Sequence, residues 1–233
     1  MANIRYSAMI ADARGSIGGV TLSRGRGGAI ARNRSKPVNP RSSRQESLRG
    51  QTAHLSRYWS KTLTAQQRAD WNAYAAGTSW TNKLGDSIQI NGNAAFMRLN
   101  ALLIQAGGAL TPAAPLAMGH AGGITISATA ENDTSKIQLA EPGGSFDKDL
   151  DDDWVLIFQA LPAEAGNAAG RKGIRFIGAV EGDSIAAPVF PYEISAAYTM
   201  AAGQQITLKA VHIDPDYRVS APVFFSVLAA PSI

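Results

Sequence analysis

The spacing of apolar positions changes twice along the chain. Up to residue 41 apolar residues are sparse and set among glycine and arginine. Gly18, Val20 and Leu22 read as one short strand and Ala29, Ile30 and Ala31 as a second, with the hairpin turning between Gly25 and Gly28. From Ser42 the period becomes helical. Ser43-Arg-Gln-Glu46 reads as a capping box, and Leu48, Leu55 and the pair Tyr58/Trp59 follow at helical spacing. A second capping box, Thr64-Ala-Gln-Gln67, opens a helix carrying Trp71, Tyr74 and Ala75 and ending at Gly77. A third helix is predicted over 93–105, with Phe96, Leu99, Leu103 and Ile104 on its apolar face and Gly107-Gly108 stopping it. Beyond residue 122 the period drops to two. Strands are predicted over 124–130, 136–140, 154–160, 174–179, 192–195, 205–213 and 223–228, most of them separated by Gly, Pro, Asn or Asp clusters.

This pattern predicts a mixed α+β chain. An extended basic, glycine-rich arm or hairpin occupies residues 1–41, and a short α-helical segment occupies 42–108. An Ala/Pro linker covers 109–121, and 122–233 form an antiparallel β-sandwich of the immunoglobulin or fibronectin-III kind. The hairpin buries too little area to stand alone, and Pro37 and Pro40 hold the chain beyond it extended.

Charge changes the picture more than composition does. The net charge of +4 hides an asymmetry: residues 1–70 carry thirteen Lys/Arg and three acids, a net of +10, whereas residues 71–233 carry a net of −6. A basic arm on an acidic body suggests docking onto an acidic surface of protein or nucleic acid. The sequence has no cysteine, which excludes disulfides, zinc-thiolate sites and a cysteine nucleophile. His54, His120 and His212 are scattered and form no metal-ligand pair. No apolar run approaches the length of a membrane span, and the N-terminus lacks the apolar core of a signal peptide. Synthesis and use in the cytosol, or assembly there into something larger, is expected.

The candidate motifs carry little chemistry. Asp147, Asp149 and Asp151 have the opening spacing of an EF-hand loop, but Asp152 stands where its glycine belongs and Phe158 where its glutamate belongs. A solvated turn entering the strand at Trp154 is the plainer reading, with a looser calcium site as the alternative. Gly-Asp-Ser-Ile occurs at 85–88 and at 182–185 and resembles an esterase nucleophile motif. The aspartate three residues before a histidine that such enzymes need is missing, because Gln51, Ala117 and Lys209 stand there. Arg24-Gly-Arg-Gly-Gly28 is no P-loop, having no Lys-Ser/Thr after it. It suits either carboxylates on a protein neighbour or phosphates, because the guanidinium fork grips both. Tyr58, Trp59, Trp71, Tyr74 and Trp80 suit a small helical core, with part of the set available to a partner. His54 and His212 read as surface side chains. No catalytic residue, cofactor site or metal site is assigned.

Residues 14–76 carry a recognisable succession: the glycine-rich basic hairpin, Pro37-Val-Asn-Pro40, Arg44-Gln45, Leu48-Arg49, Trp59, Leu63-Thr64, Gln67-Arg68, and Trp71 with Tyr74-Ala75. The third helix, introduced by Ile90-Asn-Gly92, continues it. Over roughly the first 105 residues this resembles small proteins of the morphogenesis genes of tailed bacteriophages. The C-terminal strands resemble immunoglobulin-like modules displayed on phage heads and tails, a likeness of fold that does not fix function. The resemblance implies a non-enzymatic virion structural protein, assembled in the host cytoplasm and present in many copies on a symmetric lattice. Its expected partners are the major capsid protein or neck and tail subunits. A head decoration or cementing protein is the first expectation, and a neck, tail or baseplate component the second. The residues expected to dock are Arg24, Arg26, Arg32, Arg34, Arg41, Arg44, Arg49, Trp59 and Trp71. Two readings from other classes stand beside this one. One is nucleic-acid binding by the arm, which predicts steep salt dependence. The other is an adhesin whose loops offer Tyr192, Tyr198 and Tyr217.

Overall fold

The computed structural model describes residues 2–4, 12–25, 28–35, 38–81, 87–164 and 170–230. The chain divides into two compact units, Met1–Ser47 and Leu48–Ile233.

The first unit is an antiparallel sheet of β1 (Ala2–Ile4), β2 (Gly15–Ile17), β3 (Val20–Gly25) and β4 (Gly28–Asn33), in the order β1-β4-β3-β2. The expected hairpin is present as β3–β4, with Val20 opposite Asn33 and Leu22 opposite Ala31. Its turn residues, Arg26 and Gly27, lie outside the described residues. A second hairpin joins β2 to β3 through Gly18-Gly19, and Gly18 adopts φ 56°, the left-handed geometry that a two-residue turn demands. The expected extended arm is thus largely paired into a sheet. Register puts Ile17, Val20, Leu22, Ala31 and Asn33 on one face and Ser16, Thr21, Ser23, Ile30 and Arg32 on the other, so the first face is the more apolar. No residue of this unit whose side chain is described is buried; Ile17 is 76% exposed.

Helix α1 (Ser43–Lys61) begins in the first unit and runs on into the second. Its cap is Ser42, whose hydroxyl accepts from the Gln45 N–H, one residue before the predicted serine. Helix α2 (Ala65–Gly77) begins with the expected capping box: Thr64 accepts from the Gln67 N–H, and the Gln67 side chain accepts from the Thr64 N–H. Two short strands, β5 (Trp80–Thr81) and β6 (Ser87–Ile88), pair with each other. Helix α3 (Gly92–Ala106) is capped by Asn91 and stops at Gly107, at φ 101°. Gly92 lets α3 approach α2 closely. A Cβ there would lie 2.5 Å from Asn72 Oδ1 and 2.6 Å from the Asn72 nitrogen.

Residues 109–121 are not a free linker. Asn100, fully buried, accepts from the Thr111 N–H; Trp71 donates to the Pro112 carbonyl and Tyr74 to the Gly119 carbonyl. Those bonds strap the segment to α2 and α3.

All seven predicted strands form. They are β8 (Ala128–Glu131), β9 (Lys136–Leu139), β11 (Trp154–Gln159), β12 (Arg175–Glu181), β13 (Tyr192–Ser195), β14 (Gln205–Ile213) and β15 (Val223–Ala230), while β7 (Ile124–Thr125) pairs with β10 (Gly143–Gly144). The expected two-sheet immunoglobulin-like sandwich is not what they build. They hydrogen-bond into one sheet, β12-β11-β14-β15-β8-β9-β13, antiparallel except for β15–β8. The sheet curls until its edge strands meet: a Cβ on Gly178 of β12 would lie 3.0 Å from Ile194 of β13. The result is nearly a barrel, filled by Val155, Ile157, Ile137, Leu139, Ile194, Ile206, Leu208 and their neighbours. A second core lies on the outer face of β11, β12 and β14, where Trp154, Leu156, Phe158, Val211 and Ile213 meet Leu55, Trp71, Phe96, Leu99 and Leu103 of the helices. Strand β11 serves both cores and is buried throughout, whereas β9 alternates.

Candidate docking surfaces

Of the residues expected to dock, Arg32, Arg34, Arg41, Arg44 and Arg49 are exposed. Arg32 lies on β4 and Arg34 just beyond it, its N–H bonded to the Gly19 carbonyl at 2.8 Å. Arg41 sits at φ 47° before α1, and Arg44 and Arg49 lie on α1 itself. Arg24 belongs to β3, where its backbone alone is described, and Arg26 lies outside the described residues. Trp59 is half-buried, 5.6 Å from the Phe96 ring centroid. Trp71 has no surface to offer a partner. It is 0% exposed, edge-on to Phe96 and Tyr74, and its indole N–H donates to the Pro112 carbonyl at 3.0 Å. It is a core residue of the second unit.

The acidic loop spends its carboxylates on its own backbone. Asp147 accepts from the Asp149 N–H, Asp151 from the Ser184 N–H and hydroxyl, and Asp183 from the Ile185 and Ala186 N–H groups. Those backbone bonds hold the Asp183 carboxyl below its ordinary value. Among the described residues no three acidic or histidine side chains are grouped to hold a metal ion. The Gly-Asp-Ser-Ile copy at 182–185 forms part of this clasp, and Gly85 and Asp86 of the other copy lie outside the described residues.

His212 corrects an expectation. It is fully buried rather than exposed, at one end of the barrel. Its Nε2 lies 2.5 Å from Asp153 Oδ1 and its Nδ1 lies 3.2 Å from the Gly122 carbonyl, while Asp153 Oδ2 accepts from the Asp147 N–H. Both neighbours of the ring are acceptors, so both ring nitrogens donate and the imidazole is cationic. Burial lowers its pKa, but the Asp153 carboxylate and the Gly122 carbonyl outweigh that and leave it raised. The pair locks the Asp153 and Gly122 segments to β14.

Reasoning from sequence missed a second surface, on the second unit. A cleft of about 280 Å³ opens between α1, α3 and β14. Its apolar floor is Leu48, Ala101, Leu102, Val211, Val219 and Pro222, and Gln51, Gln105 and Ser220 add polar groups. Two cations stand over it. Lys209 Nζ lies 4.6 Å from the Phe158 ring centroid, and the Arg98 guanidinium lies 5.1 Å from that of Trp80. Among the described residues neither forms an ion pair with a carboxylate. Lys209 is half-buried, and burial, with the Arg98 charge added, lowers its pKa. A second cleft of about 330 Å³, lined by Ser79, Trp80, Thr81 and His120, shares Arg98, Ser220 and Pro222 with the first, so the two adjoin along those residues as one interrupted trough.

Among the described residues no helix is long and apolar enough to cross a membrane. The architecture is a mixed α+β one, three helices packed on a nearly closed seven-stranded sheet, with a small separate sheet ahead of them. No protein-family model, no curated protein and no solved structure matches the chain.

Proposed function

We propose that the chain is a structural, non-catalytic protein of a tailed-phage virion: a head decoration or cementing protein that docks through its basic N-terminal unit onto acidic surfaces of neighbouring subunits. The observation that carries this reading is the character of that unit. Residues 1–47 hold nine Lys/Arg and two acids, a net of +7, and their sheet has no buried side chain among the described residues. A sheet with an uncovered apolar face needs a second layer to be stable, and a field of arginines favours a partner rich in carboxylates. The second unit, with a net of −3, would be the projecting body. The edges β1 and β2 add a strand-pairing route to the same partner. The proposal does not require the immunoglobulin topology expected of display modules; the curled sheet serves as a body equally well.

Cryo-electron microscopy of purified particles tests it. Density for the chain on the head lattice, with residues 12–35 covered by another subunit, supports the cementing role. Density at the neck or tail keeps the structural class and replaces the role. A chain absent from particles whose isolated form binds DNA, with affinity falling steeply as salt rises, overturns the structural reading in favour of the nucleic-acid one.

A further inference from the structure

We propose that the trough of the second unit binds a short extended peptide segment, from a partner protein, in which carboxylates alternate with aliphatic side chains. The floor of the first cleft is aliphatic, as such side chains require, and the wall carries Arg98 and Lys209, neither of which meets a carboxylate among the described residues. Two cations held over an apolar floor with no carboxylate among the described residues define the missing charge of the occupant. Lys209 sharpens the point: it is half-buried on the outer face of β14, where losing water and facing Arg98 both disfavour its charge, and a bound carboxylate would relieve both. Because the two clefts lie side by side along Arg98, Ser220 and Pro222, the surface they offer is elongated, which suits a linear chain better than a compact ligand. The floor of the first cleft is aliphatic, and Trp80 of the second is only 4% exposed and covered by Arg98, whereas a nucleic-acid groove would present open stacking faces. The inference does not rest on the virion reading, because it concerns the second unit alone and lies on a body whose net charge is negative.

The test uses the full chain and fluorescence polarisation with an end-capped, fluorescein-labelled peptide, Leu-Asp-Leu-Glu-Leu. Its neutral isostere, Leu-Asn-Leu-Gln-Leu, should bind at least about tenfold more weakly, because a charge-assisted hydrogen bond contributes about that factor. Arg98→Gln and Lys209→Gln should each weaken the acidic peptide about tenfold, and Arg98→Lys, which keeps the charge, should weaken it less. Lys172→Gln, an equal loss of charge on an exposed residue outside the trough, should leave affinity unchanged. Melting curves of each variant separate lost binding from lost folding. Acidic peptide that binds the Arg98/Lys209 double variant as well as it binds the parent is held by the arginines of the first unit, and that outcome overturns the inference without touching the virion reading. Equal affinity for the neutral isostere, or tighter binding of a single-stranded oligonucleotide that depends on the same two residues, overturns it as well.

Discussion

The pair His212–Asp153 gives the sharpest prediction about this chain. Both side chains are essentially inaccessible, at 0% and 1% exposure, and each carboxylate oxygen has one donor: the His212 Nε2–H at 2.5 Å and the Asp147 N–H at 2.9 Å. Asp153→Ala strands a buried imidazolium and an amide together, which should cost about 3–5 kcal/mol. Asp153→Asn is different. Its carbonyl can keep the Asp147 bond while its amide donates to a neutral Nε2, leaving Nδ1–H on Gly122, so every hydrogen bond survives with an uncharged ring. The two proteins should then respond oppositely to pH. In the parent the folded pKa of His212 lies above the unfolded value of about 6.5. The stabilisation is therefore complete below about pH 6.5 and is lost as pH rises through the folded pKa, by up to about 1.4 kcal/mol per pH unit. In Asp153→Asn a buried neutral ring with no counter-ion resists protonation, so stability should rise with pH up to about 6.5 and then level. Urea unfolding followed by tryptophan fluorescence from pH 5 to 9 reads this cleanly, because all four tryptophans lie in the second unit. Slopes of the same sign in the two proteins would refute the charge assignment.

Three further predictions concern packing and capping in the second unit. Gly92→Ala places a Cβ within 2.5–2.7 Å of α2, against the Asn72 side chain and the backbone of Trp71 and Asn72, and should cost about 1–3 kcal/mol in urea unfolding; an unchanged midpoint would show that α3 does not need its close approach. Trp71→Ala empties the centre of the helical core and orphans the Pro112 carbonyl, so a loss of about 3–5 kcal/mol is expected, and a loss below 1 would mean the ring is no anchor. Thr64→Ala removes one half of the capping box on α2 and should lower stability by about 1 kcal/mol, with Thr64→Ser restoring most of it; equal stability of the two variants would assign the cap to other groups.

Local chemistry was legible where it acts locally. The capping box at Thr64, the stop at Gly107 and the alternation of β9 depend on neighbours a few residues away, and each stands where the pattern put it. The cap of α1 shifted from Ser43 to Ser42 because adjacent serines offer the same hydroxyl to the first free N–H groups. His212 was misread because alternation alone does not say which faces of a strand are covered. A signal was present beside it: 154–158 is apolar at every position, which marks β11 as lying between two cores, and β14 is its neighbour in the sheet. The trough left no such trace, because Arg98 and Lys209 stand far apart in sequence and only the packing of α3 on β14 brings them together.

The sequence by itself determined the number and place of the seven strands and three helices, the hairpin of the basic segment, and the opposed charges of the two parts. Hydrophobic period, capping residues and net charge are properties of contiguous residues, so they are written in order along the chain. Only the tertiary structure decided that the strands curl into one nearly closed sheet rather than two, that residues 109–121 are strapped down, that Trp71 and His212 are interior, and that two cations without a carboxylate partner among the described residues overhang an apolar floor. Those outcomes depend on which distant surfaces bury one another, and burial is a property of the whole molecule rather than of any segment of it.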